Sequence, residues 1–441
     1  MKKTVVAIAF LLTIAQIGLA QIGIDKVKLD QYFDVLEENN MFMGSVAVSR
    51  NGELVYARTI GLADVENKVK ANDSSRYRVG SISKSFTAVL TLKAIEEHKL
   101  DLDQTIDTWF PVIRNAKRIT VKHLLSHRSG IHDFTQRKDY LKWYTQPKTE
   151  REMIQIIAKG GSDFKPNTKA RYSNSNYVLL TYILEKIYAK SYSDMLQEYI
   201  VRPVGLRNTY VFGKVNTSIN ECQSYSFSGV WELENETHFT IPLGAGAIAS
   251  TASDLTMFAD ALLSGKLLRN ESLELMKTIE DGYGLGLFEV PFEKHRGYGH
   301  SGGIDGFVSR YVHFADSKIS FALVSNGRSS INTNDVSIVV LSAVYGLPIQ
   351  VPNISSYELA PEAIDQYLGT YVAKEVGMEI AFTRDGNTLR GEIAGEGSFP
   401  LQPTGKDEFY LKEPPVGFTF NLMAKTMVLT QSGVGIKFRK K

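Results

Sequence analysis

From Gly44 to Ala57 the chain alternates: Gly44-Ser45-Val46-Ala47-Val48-Ser49, then Asn51-Gly52, then Leu54-Val55-Tyr56-Ala57. A period of two with an Asn-Gly pair between the runs predicts a β-hairpin, because both residues of so tight a turn take positive φ. Over residues 81–97 the period lengthens. Phe86, Val89, Leu90 and Ile95 are spaced for the buried side of a helix. Residues 149–158, 175–189 and 253–264 read as further helices. Strand patterns return over 282–290, 307–314 and 319–325, and residues 331–345 read as a closing helix. Strands at both ends with helices between them predict one sheet assembled from both ends of the segment, with a helical insertion beside it.

Beyond residue 345 the pattern changes. Gly346, Pro348, Pro352 and Ser355-Ser356 mark residues 346–356 as a linker. Residues 362–368 fit one short helix. Short strands follow, cut by Asp385-Gly386-Asn387, Gly395-Glu396-Gly397, Gly405-Lys406-Asp407 and Gly433. Phe418, Phe420 and Leu422 alternate, as do Val434, Ile436 and Phe438. Residues 357–441 therefore read as a small all-β barrel or sandwich.

The first twenty residues read differently again. Lys2 and Lys3 precede an apolar run, and Gly18-Leu19-Ala20 supplies small residues before Gln21, which is the pattern of a cleavable secretory leader. The run is short for a membrane span, and no Cys follows the cut, so no stable membrane anchor is expected. The expected division is 1–20 leader, 21–345 main domain, 346–356 linker and 357–441 barrel, with the mature protein periplasmic or secreted. Of 441 residues, 43% are hydrophobic and 22% charged, an ordinary globular balance. The net charge of +2 is matched by Lys2 and Lys3, so nothing points to nucleic acid as a partner. Cys222, the single cysteine, has no flanking Gly turn or nearby His and reads as a bystander.

Three short motifs carry the candidate chemistry. In Ser81-Ile82-Ser83-Lys84, a spacing of three puts Lys84 over Ser81 if Ser81 opens the helix, and a serine hydroxyl needs such a partner to take its proton. A second copy, Ser162-Asp163-Phe164-Lys165, is followed by Pro166, which blocks the helix it would need. In Tyr172-Ser173-Asn174, a phenol beside a lysine ammonium loses its proton more readily and can serve as general base, while Asn174 can donate to a substrate carbonyl. His300-Ser301-Gly302-Gly303 stands before a predicted strand. Its small residues would let a substrate backbone lie against the strand edge, and the Gly303 amide could pair with the Ser81 amide as an oxyanion hole. Elsewhere, His123 and His127 are spaced for one helix face, and hydrogen bonding is favoured there over a metal. Asp305 reads as a turn residue, and Arg128 and Arg171 fit either a cleft or solvent.

These three motifs, in this order, resemble the penicillin-binding and β-lactamase-related serine hydrolases: class C β-lactamases, DD-peptidases, D-aminopeptidases and esterases. The resemblance extends to Tyr77 through Phe86, Ile119 through His127, Ser129-Gly130, Tyr172 through Leu180, Ala245-Gly246 and Ser250 through Leu255, and covers roughly residues 25–345. It implies an α+β fold, an antiparallel sheet flanked by helices with an all-helical subdomain and the site between them. The last domain resembles the small lipocalin-like barrel appended to some of these peptidases. The resemblance also implies roles. Ser81 is acylated, Lys84 and Tyr172 share proton transfer, and Asn174, His300, Ser301 and Gly302 contact substrate. The amides of Ser81 and Gly303 hold the oxyanion, and no cofactor or metal is needed. Expected substrates are small amides, D-amino-acid peptides, esters, cell-wall fragments or β-lactams. The third motif opens with His300 where β-lactamases carry Lys. A neutral imidazole binds a carboxylate less strongly, which puts efficient β-lactam hydrolysis in doubt. The competing expectation is a non-catalytic module that binds or senses penicillin-like or peptidoglycan-like ligands in the same cleft.

Overall fold

The computed structural model describes residues 24–441 except 330, 355–356, 394–396, 413 and 432–433, so the leader predicted over 1–20 and Ser355-Ser356 lie outside the described residues. The hairpin forms as expected: β1 (Gly44–Arg50) and β2 (Glu53–Ile60) are joined by Asn51 at φ 55° and Gly52 at φ 81°. The other strands of this sheet come from the far end of the segment: β3 (Phe288–Phe292), β4 (His295–Ile304), β5 (Phe307–Phe314) and β6 (Ile319–Ser325). The sheet order is β3-β4-β5-β6-β1-β2, antiparallel throughout, and β1 and β6 pair along their whole length from Gly44↔Ser325 to Arg50↔Ile319.

Period-two alternation sends side chains to both faces of this sheet. Val46, Val48, Val312, Phe314, Phe321 and Leu323 pack under α1 (Lys26–Glu38) and the closing helix Thr333–Val344. Ala47, Tyr311, Ala322 and Val324 face the larger core, which contains α2 (Ser83–Glu96). This helix is buried on every side from Ser83 to Leu92, because the sheet lies on one side of it and the helical subdomain on the other. Phe86 stacks on Phe258 with ring centroids 3.7 Å apart. The helical subdomain includes α3 (Val121–Leu125), α4 (Glu150–Gly160) and α5 (Asn174–Tyr188). Thr149 and Glu152 close a capping box at the start of α4, which sets that boundary.

One expectation needs correction. The strand predicted over 282–290 occupies only Phe288–Phe292, because Gly282 at φ 85° and Gly286 at φ 70° turn the preceding chain into a loop. The His300 motif precedes β5 as expected, and itself lies inside β4, a strand the pattern does not predict. A run as glycine-rich as His295 to Gly303 has little strand propensity of its own, and pairing with β3 over residues 295–299 and with β5 over residues 297–304 overrides it.

The C-terminal residues form a closed eight-stranded barrel from Gly369–Ala373 to Val434–Lys440, with Tyr371↔Lys440 closing the ring. Tyr371, Phe382, Phe409, Phe418, Phe420, Met427 and Phe438 are buried together as its core. The linker is not free-standing. Ile349 is buried and Val351 half-buried against the core under α1, where the barrel's Tyr410 joins them.

Candidate active site

Ser81 sits on a 3-10 turn, Gly80–Ile82, that runs directly into α2, so the helix starts two residues later than its spacing predicts. The geometry expected of the motif survives, because a 3-10 turn also stacks residues three apart. Lys84 Nζ lies 3.0 Å from Ser81 Oγ. It also donates to Asn174 Oδ1 at 2.8 Å and to the Ala245 carbonyl at 2.8 Å. Lys84 is fully buried, and burial lowers its ammonium to a pKa of about 7 against a smaller opposing pull from Asp133.

Tyr172 lies with its ring centroid 4.7 Å from Lys84 Nζ, and Ser81 is close enough to its hydroxyl to act on its proton affinity. The alcohol, the amine and the phenol therefore converge. Burial raises Tyr172 well above its ordinary range, and Ser81 only partly offsets this, which favours Lys84 of the two as the base. Near neutral pH it is a phenol, and the neighbouring lysine is half neutral. Asn174 lines the cleft; its Oδ1 is taken by Lys84, and its Nδ2 donates one N–H to Asp133 Oδ2 at 2.9 Å.

His300 is buried and neutral. Burial first, then the charge of Lys84, lowers it to about 3, and its Nδ1 lies 2.5 Å from the Ser301 carbonyl. Gly302 and Gly80 are sterically required. A Cβ on Gly302 would come within 2.0 Å of the Val79 carbonyl and 3.0 Å of the Ser81 amide nitrogen. Gly80, at φ 50°, would put its Cβ 2.9 Å from the Gly303 backbone. The nucleophile turn and β4 thus touch through two residues without side chains. Ser301 is exposed on the same strand. A cleft of about 370 Å³ opens over Ser81, with Tyr144, Asn174, Glu234, Gly303 and Arg328 among its walls.

Asp133, Ala245 and His127 were not singled out as site residues from the sequence, and each reaches the site through contacts 40 or more positions away along the chain. His123 and His127 do not share a helix face. α3 ends at Leu125, His123 Nδ1 accepts from the Thr120 N–H, and His127 lies beyond at φ 58°. Asp305 takes a positive-φ turn and also ion-pairs with Arg78 at 3.1 Å, both side chains being nearly inaccessible. Arg128 pairs with Asp281 and Arg171 with Asp163. The Ser162 copy of the first motif forms no helix, and its hydroxyl donates to the Phe164 carbonyl. Cys222 is buried, with its thiol pushed up to about 12. Among the described residues no cluster of three or more His, Cys, Asp or Glu side chains is placed to hold a metal, and no helix is long and apolar enough to cross a membrane.

A serine, a lysine and a tyrosine meeting between an antiparallel sheet and a helical subdomain define a serine hydrolase of the penicillin-binding type. Residues 29–339 match the Beta-lactamase family, and the chain belongs to that family. Penicillin-binding protein 4* of Bacillus subtilis is 26% identical over 92% of this chain and 96% of its own length. A D-amino acid amidase from Ochrobactrum anthropi SV3, solved with L-phenylalanine amide, is 25% identical and superposes with a TM-score of 0.63 over 72% of this chain and 98% of its own. The octameric penicillin-binding protein homologue from Pyrococcus abyssi is 22% identical, with a TM-score of 0.65 over 94% of this chain and 99% of its own, a likeness of fold that takes in the barrel.

Proposed function

We propose that this chain is an exported serine hydrolase that forms an acyl-enzyme at Ser81 on small amide, D-amino-acid peptide or ester substrates. The observation that carries the reading is the set of acceptors around Lys84. Asn174 Oδ1 and the Ala245 carbonyl have no proton to give, so they take both N–H bonds of a neutral amine. The remaining lone pair is left for the Ser81 hydroxyl at 3.0 Å, and a pKa of about 7 makes that neutral form available at working pH.

Attack by Ser81 Oγ on a carbonyl carbon then sends the hydroxyl proton to Lys84. Tyr172, protonated and beside Ser81, hands its proton to the leaving nitrogen or oxygen and recovers one from the Lys84 ammonium. Water repeats the sequence in reverse to release the acid. The Ser81 and Gly303 amides receive the oxyanion. Gly303 adjoins the pair that closes the two-residue turn, so antiparallel alternation turns its N–H away from β5, and its backbone lies against Gly80. Asn174 fixes Lys84, while His300, Ser301 and Gly302 border the substrate. A neutral His300 supplies no cation for a β-lactam carboxylate, which favours amides and peptides over β-lactams. Family relatives that act on D-amino acid amides support that substrate class. The leader over residues 1–20 supports periplasmic or secreted placement, where cell-wall fragments are within reach.

The experiment is a panel of chromogenic D- and L-amino-acid amides, esters and a cephalosporin, assayed with wild type and Ser81→Ala, alongside labelling by a fluorophosphonate. Stoichiometric labelling of Ser81 and loss of turnover in Ser81→Ala are expected. Turnover that survives Ser81→Ala rejects the reading.

A further inference from the structure

His127 belongs to none of the three motifs, yet the Tyr172 segment is fastened to it on every side. Its carbonyl accepts from the Arg171 N–H at 2.9 Å. Its Nδ1 accepts from the Ser173 N–H at 3.2 Å and lies 3.4 Å from Asn176 Nδ2. Its ring lies under Tyr172, with centroids 4.4 Å apart and planes 30° from parallel. The residues before and after Tyr172 are therefore both hydrogen-bonded to one histidine, and the ring between them rests on its imidazole.

Two further features show that this arrangement is specific. His127 holds φ at 58°, a conformation that residues with a Cβ usually avoid, and this turn brings its carbonyl and its ring to the same segment. Both groups facing Nδ1 are N–H donors, so Nδ1 must carry a lone pair, and the ring works only as the neutral tautomer protonated at Nε2. The surroundings agree. The imidazole is buried among Tyr172, Tyr177 and Tyr283, with Lys84 and His300 as the cationic or titratable groups whose fields reach it.

We infer that His127 is the positioning residue for Tyr172, holding the phenol against Ser81 through its Nδ1 lone pair and its ring face. The role rests on the acyl-enzyme chemistry proposed above. Rings that fill space are replaceable by other rings; an acceptor aimed at a backbone N–H next to the reacting phenol is not.

The test is the rate of Ser81 labelling by a fluorophosphonate in wild type, His127→Phe, Tyr172→Phe and the double variant. Phe keeps a ring and removes the acceptor. Each single variant is expected to label at least about tenfold more slowly, since displacing a reacting group by an ångström has effects of this size. The double variant is expected to be no slower than Tyr172→Phe alone, because a phenol that is gone cannot be misplaced. A wild-type rate in His127→Phe, or losses that multiply in the double variant, overturn the inference. His127→Asn stands independently of whether the Phe variant folds. Asn tolerates the left-handed backbone and offers an amide oxygen, and labelling within about threefold of wild type is expected. A loss beyond tenfold in folded His127→Asn overturns it too. On a chromogenic amide, the Phe variant is expected to lose kcat with KM unchanged. Wild type that never labels at Ser81 sinks the acyl-enzyme reading itself, and this role for His127 with it.

Discussion

In the barrel, Phe420 is surrounded by the rings of Tyr367, Tyr371, Phe382 and Phe409, with centroids 5.1 to 5.7 Å away. In the main domain, Lys84 is just as deeply buried, but its neighbours are a serine, an asparagine, a carbonyl and two more titratable rings within reach, Tyr172 and His300. Both sites exclude water. One uses that exclusion as a source of stability, since each aromatic ring removes a large apolar surface from solvent. The other uses it to shift proton affinities, lowering an amine and raising a phenol, at a cost to stability that the rest of the core must offset. A buried interior thus holds the molecule together in one region and tunes reactivity in the other.

The largest effect expected from breaking this contrast is at Lys84. Lys84→Met should cut turnover by about 10³-fold or more, as removal of a general base does. It should also raise the unfolding free energy by about 1–2 kcal/mol, in the manner of stabilising changes at active sites. The sign follows from linkage. The folded amine titrates near 7 and the unfolded one near 10.5, so the lysine costs stability at every pH below 10.5, most below 7. Thermal or urea unfolding beside a turnover assay checks both halves, and a less stable Lys84→Met would contradict the argument. Phe420→Ala comes next. Loss of a ring from a packed core costs about 3–5 kcal/mol, here confined to the barrel. Unfolding should split into two transitions, with Ser81 still labelled after the first, and a single shifted transition would show the two cores to be one cooperative unit. The smallest expected effect is on the pH profile. With neutral Lys84 as base, kcat/KM should rise about tenfold per pH unit below 7 and level off above it. An acid limb absent between pH 5 and 7 would assign the base elsewhere.

Much of this was legible in the sequence because it is local. The Asn51-Gly52 hairpin, α2, α4 and the alternation along β5 and β6 follow from short-range periodicity, and these elements form within a few residues of where the spacing puts them. Strand β4 was not legible. Its glycines carry no strand signal, and only the two flanking strands make it one. Within the site, Ser81 and Lys84 are three residues apart and readable as a pair. Asp133, Ala245 and His127 come together with the motifs only through the fold. The choice between Lys84 and Tyr172 as base was open in the sequence for the same reason. A neighbouring cation can be inferred from a motif, whereas depth of burial cannot.

The pairing of β1 with β6 has a consequence for how the molecule comes to exist. Those partners lie 281 positions apart where Gly44 faces Ser325 and 269 apart where Arg50 faces Ile319. A chain made from its amino end must hold the first hairpin with one ladder edge unmatched until nearly three quarters of the polypeptide has emerged. Contacts so distant in order slow the search and expose sticky edges meanwhile. Completion of this sheet therefore waits for its last strand, and a truncation just short of residue 319 should yield aggregates rather than a smaller working unit.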